Sequence, residues 1–260
     1  MKWSSLIFTS YGIRLCKIHL LDYFKRLWQT YGTSIMSENL MPEEAGSMHS
    51  VRFFDSVSIP VPRSRIYKRL GYRKGMTRLL PQQEDETNCY IEEAQSLMHF
   101  KGAVLRLSIL KQDSSGINLP GDIRFESCQL SEFLDHCREI ILMGATAGCD
   151  ITDAIHEDTS GRNVTRGIVF DATASEMTDA VLSWIMEYYN RILRRENKSV
   201  LARRFSAGYS DFLLENQKTI YNLLQLNRIG IQITENCMLV PEKSVTAISG
   251  IVAPGFILDK

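Results

Sequence analysis

Residues 164–196 read VTRGIVFDATASEMTDAVLSWIMEYYNRILRRE. Within this run Val181, Leu182, Ile185, Met186, Tyr189, Ile192 and Leu193 recur at i, i+4, i+8 and i+11, the stripe of a helix that buries one face. Arg194 and Arg195 close it, where the helix macrodipole favours cations. The spacing therefore predicts one long helix over Val164–Glu196.

On either side the period changes. Ala103–Leu110 (AVLRLSIL) is the clearest strand, bounded by Gly102 and by the turn residues Asp113 to Gly116. Arg138–Gly144 (REIILMG) reads as a second buried strand and Ile123–Phe125 as a short one. Gly230–Thr234 and Lys243–Ile251 alternate apolar and polar residues as strands do. Ser56–Pro62 (SVSIPVP) is strand-like but broken by Pro60 and Pro62, which suits an edge or a connector. Further helices are expected at Ser64–Tyr72, with Ser64 as cap and Gly71 at the stop, and at Glu84–Phe100. Others are expected at Leu130–Cys137, capped by Ser131 or a residue nearby and carrying His136, at Thr152–Asp158, ended by Ser160 and Gly161, and at Glu215–Leu226. Helices and strands mix without strict βαβ alternation. The expected class is α+β: a helical N-terminal part followed by a mainly antiparallel twisted sheet flanked by helices.

The chain has 260 residues, 44% of them hydrophobic and 23% charged, so it can bury a substantial core. Thirty Lys and Arg balance thirty Asp and Glu, which gives no basic field for nucleic acid or anionic lipid. No apolar run reaches the roughly 20 residues that span a bilayer. The six cysteines are scattered, without CxxC or His at metal spacing, as in a reducing compartment, and a cytoplasmic location is expected. Residues 1–50 differ from the rest: Lys2, Arg14, Lys17, Lys25 and Arg26 stand against Asp22 in the first thirty-five. Arg14 and Lys17 interrupt any signal-peptide core. Leu20, Leu21, Phe24, Leu27 and Trp28 share a helical face, which would suit a membrane-surface helix. The favoured reading is a poorly ordered upstream extension or a misassigned start, with the domain proper at 51–260.

No GxGxxG follows a strand, and GxxxxGK[ST], HExxH and GxSxG do not occur. Five histidines stand alone, and His136 beside Cys137 reads as structural. The segment that stands apart is Arg203–Tyr209, RRFSAGY. It sets an arginine, small residues, a glycine and a tyrosine between two helices. Arginine can grip a carboxylate with two parallel hydrogen bonds. Glycine lets backbone amides approach a ligand, and tyrosine offers a ring face and one hydroxyl. The same residues also fit an ordinary interhelical turn with Gly208 at a left-handed position.

The order Arg204-x-x-x-Gly208-Tyr209, then Gln217, then Ile229-Gly230-Ile231-x-Ile233-Thr234-Glu235-x-Cys237-Met238, then Val240-Pro241-x-Lys243-Ser244-Val245 resembles the activation domain of cobalamin-dependent methionine synthase. The likeness is greatest to the short, stand-alone bacterial form. Ile66–Gly75 (IYKRLGYRKG), Ile141–Ile155 (ILMGATAGCDITDAI) and Gly167–Ile185 are similar to upstream parts of these short proteins, so the likeness covers roughly residues 57–251. The resemblance implies an accessory protein that binds S-adenosylmethionine as cosubstrate at the RxxxGY loop. It would dock on a separate cobalamin-binding chain while a flavodoxin-type donor supplies an electron, so that cob(II)alamin is reduced and remethylated. Arg204 would hold the methionyl carboxylate. Ala207 and Gly208 would admit the ligand to the backbone, and Tyr209 would face both ligand and corrin. Glu187 on the long helix matches a family acid. Glu235, Pro241, Lys243 and Ser244 are signature positions to which the resemblance gives no defined role.

The chain would be one component of a methyltransferase system and not self-sufficient, because no folate, homocysteine-zinc or cobalamin-binding segment is visible. The chain departs from the family at three places. There is no DWTPFF-like segment, Ser183 stands one turn before Glu187 where the family has an acid, and no tyrosine follows the last strand. Two alternatives remain: a non-catalytic binding or regulatory module that has lost the ligand, and a reactivator for another corrinoid methyltransferase system.

Overall fold

The computed structural model describes residues 50–73 and 75–253. The extension expected over residues 1–50 lies outside them, Ser50 excepted. A five-stranded antiparallel sheet forms the frame, built from β1 (Arg52–Phe54), β2 (Lys101–Ser108), β6 (Glu139–Thr146), β7 (Ser199–Val200) and β10 (Ser244–Val252) in the order β1-β2-β6-β10-β7. Three more strands, β3 (Lys111–Asp113), β4 (Gly116–Leu119) and β5 (Ile123–Glu126), make a small meander, and β8 (Gln232–Ile233) pairs with β9 (Leu239–Val240). The α+β class and the antiparallel sheet are as expected, and the strands are spread along the chain from residue 52 onward.

The central strands are near-continuous apolar runs because both faces of the sheet are covered. On one face Val104, Ile141, Met143, Ala145 and Ala247 pack under α5 (Val164–Leu193), through Phe170, Met177, Val181 and Ile185. On the other, Leu105, Leu107, Leu142 and Ile248 meet the meander through Ile117 and Phe125. They also meet α6 (Asn216–Leu224) through Ile220 and Leu224. Alternate residues of one strand thus feed two cores. A smaller cluster, Ile66, Ile91, Val169 and Ala172, joins α1 (Arg63–Arg69) and α2 (Pro81–Ser96) to α5.

Several local expectations are corrected. Helix α1 begins after Pro62 with no side-chain cap, so Ser64 does not serve as one. It ends as foreseen: Tyr72 N donates to Tyr67 O and Gly71 N to Lys68 O, with Gly71 at φ +89, a reversal that favours glycine. Helix α3 is Cys128–Phe133 and is capped by Ser127, whose hydroxyl accepts from Leu130 N at 2.9 Å. The Ser131 hydroxyl instead donates to Asp113 O at 2.6 Å. His136 therefore lies beyond the helix, at φ +67, with its Nε2 3.0 Å from Asp135. Helix α4 (Cys149–Glu157) runs into a π-turn through Gly161, and Asn163 then caps α5 by accepting from Arg166 N at 3.1 Å. Among the described residues no helix is long and apolar enough to cross a membrane.

Candidate functional site

The RRFSAGY segment is rooted in the sheet. Phe205 exchanges both main-chain hydrogen bonds with Ile248 of β10, N to O at 2.9 Å and O from N at 2.7 Å. The Ser206 hydroxyl donates to Thr246 O at 2.9 Å, and Thr246 Oγ1 donates in turn to the buried Gln217 of α6 at 2.8 Å. Past the sheet the chain turns over Gly208, at φ +83, whose N–H donates to Phe212 O at 2.8 Å. That φ is costly for a residue with a Cβ, and a Cβ here would also press on Leu214 at 3.3 Å. Downstream, Asp211 fastens the loop to the start of α3. It accepts from the Ser127 hydroxyl, from Cys128 N at 2.7 Å and from Gln129 N at 3.3 Å. The Ser127 hydrogen bond, with the backbone amides, holds the Asp211 carboxyl below its ordinary range.

Just ahead of the first root, Arg204 points to helix α5. Its Nη2 lies 2.8 Å from Asp179 Oδ1, and its Nη1 donates to Asp179 O and to the Ser183 hydroxyl, each at 3.3 Å. Arg204 is mostly covered, at 20% exposure, while Asp179 is 42% exposed. Tyr209 stands 72% exposed, edge-on to Phe205 at 6.3 Å between ring centres. Ala207 is half-buried beside the apolar core of that sheet face.

Lys243, just ahead of β10, reaches the same helix two steps nearer its start: Nζ is 2.6 Å from Asp171 Oδ1 and donates to the Ser175 hydroxyl at 3.1 Å. Asp171, Ser175, Asp179 and Ser183 are thus a polar stripe at four-residue spacing, met by Lys243 at one end and Arg204 at the other. A cavity of about 320 Å3 opens beside it, lined by Ser175, Glu176, Asp179, Lys243 and Ser244 among others, with Arg69 of α1 on its rim. Arg65 of α1 pairs with two of the acids there, 3.2 Å from Glu176 and 3.5 Å from Asp179 Oδ2.

The structure brings Arg204 and Lys243 against α5, with Ser244 next to Lys243 at the start of β10 and with Gly208 and Tyr209 further along the loop, beyond Phe205. The Ser244 hydroxyl donates to Thr146 Oγ1 at 2.9 Å across β10 and β6. Glu187 extends the stripe by one more step, but it is exposed, and Asp179 is the carboxylate that meets Arg204. Glu235 is exposed in the β8–β9 turn, and its carboxylate makes no ion pair among the described residues. Pro241 is buried against a different cavity, lined also by His99 and Cys149. Asp179, Asp171, Arg65 and Asp211 are participants that the sequence reading did not single out. For Asp171 and Asp179 the only signal was the i, i+4 polar spacing on α5, whereas Arg65 of α1 and Asp211 of the loop carried none.

No family model and no curated protein matches the chain. A crystal structure of the MetH reactivation domain bound to AdoHcy is similar to it, with a TM-score of 0.53 over 77% of this chain and 78% of that one, at 15% identity. The chain has a reactivation-domain-like fold. At this identity the likeness is one of architecture alone, helices with an antiparallel sheet. The ligand named with that structure belongs to that protein.

Proposed function

We propose that this chain is an accessory module for reductive activation of a cobalamin-dependent methionine synthase, binding S-adenosylmethionine at the Arg204–Tyr209 loop and docking on a separate cobalamin-binding chain. The observation that supports the reading is the loop itself. In a reactivation-domain-like fold, Arg204 is already aimed at a carboxylate, Gly208 opens the backbone, and Tyr209 presents a free ring beside them. Arg204 would hold the ligand's α-carboxylate through charge-assisted hydrogen bonds. The Tyr209 ring suits a sulfonium, a cation with no hydrogen-bond donor of its own. Methyl transfer to a cobalt on a partner needs close alignment, which a rigidly rooted loop favours. S-adenosylmethionine supplies the methyl group, and no nucleophile of this chain is required. The cytoplasmic location, the flavodoxin-type donor and the corrinoid partner belong to this same proposal.

Calorimetric titration of the full chain with S-adenosylmethionine and with S-adenosylhomocysteine tests it. Saturable binding is expected, weakened in Arg204→Ala by about 1.5–3 kcal/mol. The melting temperature should stay nearly unchanged, because Asp179 is 42% exposed and an ion pair open to solvent on one side contributes little to stability. Unchanged binding with a large fall in melting temperature would make Arg204 structural. A second reading, a docking module without the ligand, is favoured by one observation: Asp179 already occupies the Arg204 guanidinium, and Ser183 stands where an acid would be expected. It predicts no heat with either ligand.

A further inference from the structure

We infer that Asp179 is an internal placeholder for the ligand's carboxylate, which a ligand bearing a free α-carboxylate must displace to reach Arg204. The inference rests on the adenosyl-ligand reading of the loop and specifies how ligands are admitted. Asp179 offers Arg204 only one carboxylate oxygen, Oδ1, at 2.8 Å through Nη2. The other guanidinium arm, Nη1, has only two 3.3 Å contacts, to a main-chain carbonyl and to the neutral Ser183 hydroxyl. The guanidinium is thus charge-matched but not held in its best geometry, which is two parallel hydrogen bonds to one carboxylate. An incoming carboxylate that engages both arms exchanges a one-point contact for a two-point one.

The displaced Asp179 is not left stranded. Its second oxygen, Oδ2, already lies 3.5 Å from Nη1 of Arg65 on helix α1, so a small rotation would complete that pair as the Arg204 contact opens. Asp179 is open enough to solvent, at 42%, to make the exchange without burying an unpaired charge. Ser183 is neutral and does not compete for the guanidinium. A ligand without a carboxylate has nothing to offer in exchange, and Asp179 would stay where it is. The placeholder therefore weakens the binding of adenosyl amino acids, which must displace it, and leaves adenosyl thioethers that lack the amino-acid part unaffected.

The test titrates the full chain, as wild type, Asp179→Asn and Asp179→Ala, with S-adenosylhomocysteine and with 5′-deoxy-5′-methylthioadenosine. S-adenosylhomocysteine carries equal positive and negative charge, so a general change in the field of the protein affects it little. Removal of the placeholder should lower its Kd by roughly three- to tenfold, the range of a half-exposed ion pair that no longer has to be broken. The affinity for 5′-deoxy-5′-methylthioadenosine should not move. Binding of S-adenosylhomocysteine by wild type that is unchanged or weakened in both folded variants overturns the placeholder and leaves the adenosyl-ligand reading standing. An equal gain for both ligands also overturns the placeholder, because the gain would then not depend on the ligand's carboxylate. Absence of binding in all three proteins overturns the adenosyl-ligand reading and the placeholder together.

Discussion

Arg106 sits in the middle of β2 at 7% exposure and holds two carboxylates at once. Nε and Nη2 donate to Glu139 of β6, both at 2.8 Å, while Nη1 and Nη2 donate to Glu196, beyond the end of α5, at 2.7 and 2.6 Å. Lys198 completes the group, 2.6 Å from Glu139 and 3.2 Å from Glu196. Two cations and two anions balance, so Arg106→Met leaves Glu139, only 16% exposed, with Lys198 alone against two negative charges. Breaking a fully buried pair costs about 3–5 kcal/mol. With Lys198 retained, a loss of about 2–4 kcal/mol at pH 7 is expected in urea unfolding.

The loss should also depend on pH. Arg106 first, and Lys198 after it, hold Glu196 down from its ordinary 4.5 to about 2. A carboxyl whose folded pKa is depressed contributes stability above its unfolded pKa and loses it as pH falls through the folded one. The shift alone would correspond to about 3 kcal/mol. Glu196 is 36% exposed, however, and solvent screening reduces this to on the order of 1 kcal/mol. The wild-type protein should therefore lose that amount between about pH 5 and pH 2, and Arg106→Met should not. The deficit of the variant should shrink by about 1 kcal/mol between pH 7 and pH 3. A deficit under about 1 kcal/mol at pH 7, or one that is constant across this range, would refute the reasoning.

Two further outcomes can be checked by thermal or urea unfolding. Gly250→Ala puts a methyl group into Cys137 Sγ, with Leu201 and Leu134 at 3.0 and 3.1 Å; overpacking of this kind costs about 1–3 kcal/mol. Asp211→Asn removes the anion that accepts from Ser127 and the first α3 amides. Because the Asp211 carboxyl is held below its ordinary value, its contribution is present above the unfolded pKa and is lost on acidification. The difference in melting temperature between wild type and variant should be largest near neutrality and should narrow below about pH 4.

The elements were legible where one period ran long. The apolar stripe from Val181 to Leu193 lies on the buried face of α5, and the runs at 103–110 and 138–144 are β2 and β6, displaced by one or two residues. Boundaries failed where two candidate caps stood close together. Ser127 and Ser131 are chemically equal in the sequence, and only the position of Asp113, across the meander, decides that Ser131 is taken. Strand order was out of reach, since β10 pairs with β6 from about a hundred residues earlier. The site was half visible. Arg204, Gly208 and Tyr209 are a contiguous signal, whereas Asp179 and Asp171 look like any solvated helix face. Their partners, Arg204 and Lys243, arrive only when β10 and its flanking loop fold back on α5.

The loop is fixed to the sheet at Phe205 and to a helix start at Asp211, and only residues 206–210 lie between the two anchors. Neither core reaches far into this interval, where Tyr209 and Ser210 point to solvent. An interval of this kind can drift in sequence while the scaffold stays as it is. What the loop presents at Tyr209 and Ser210 can then change without any new fold, whereas Gly208 is held by its backbone angle, and Phe205 and Asp211 change only together with what they hold.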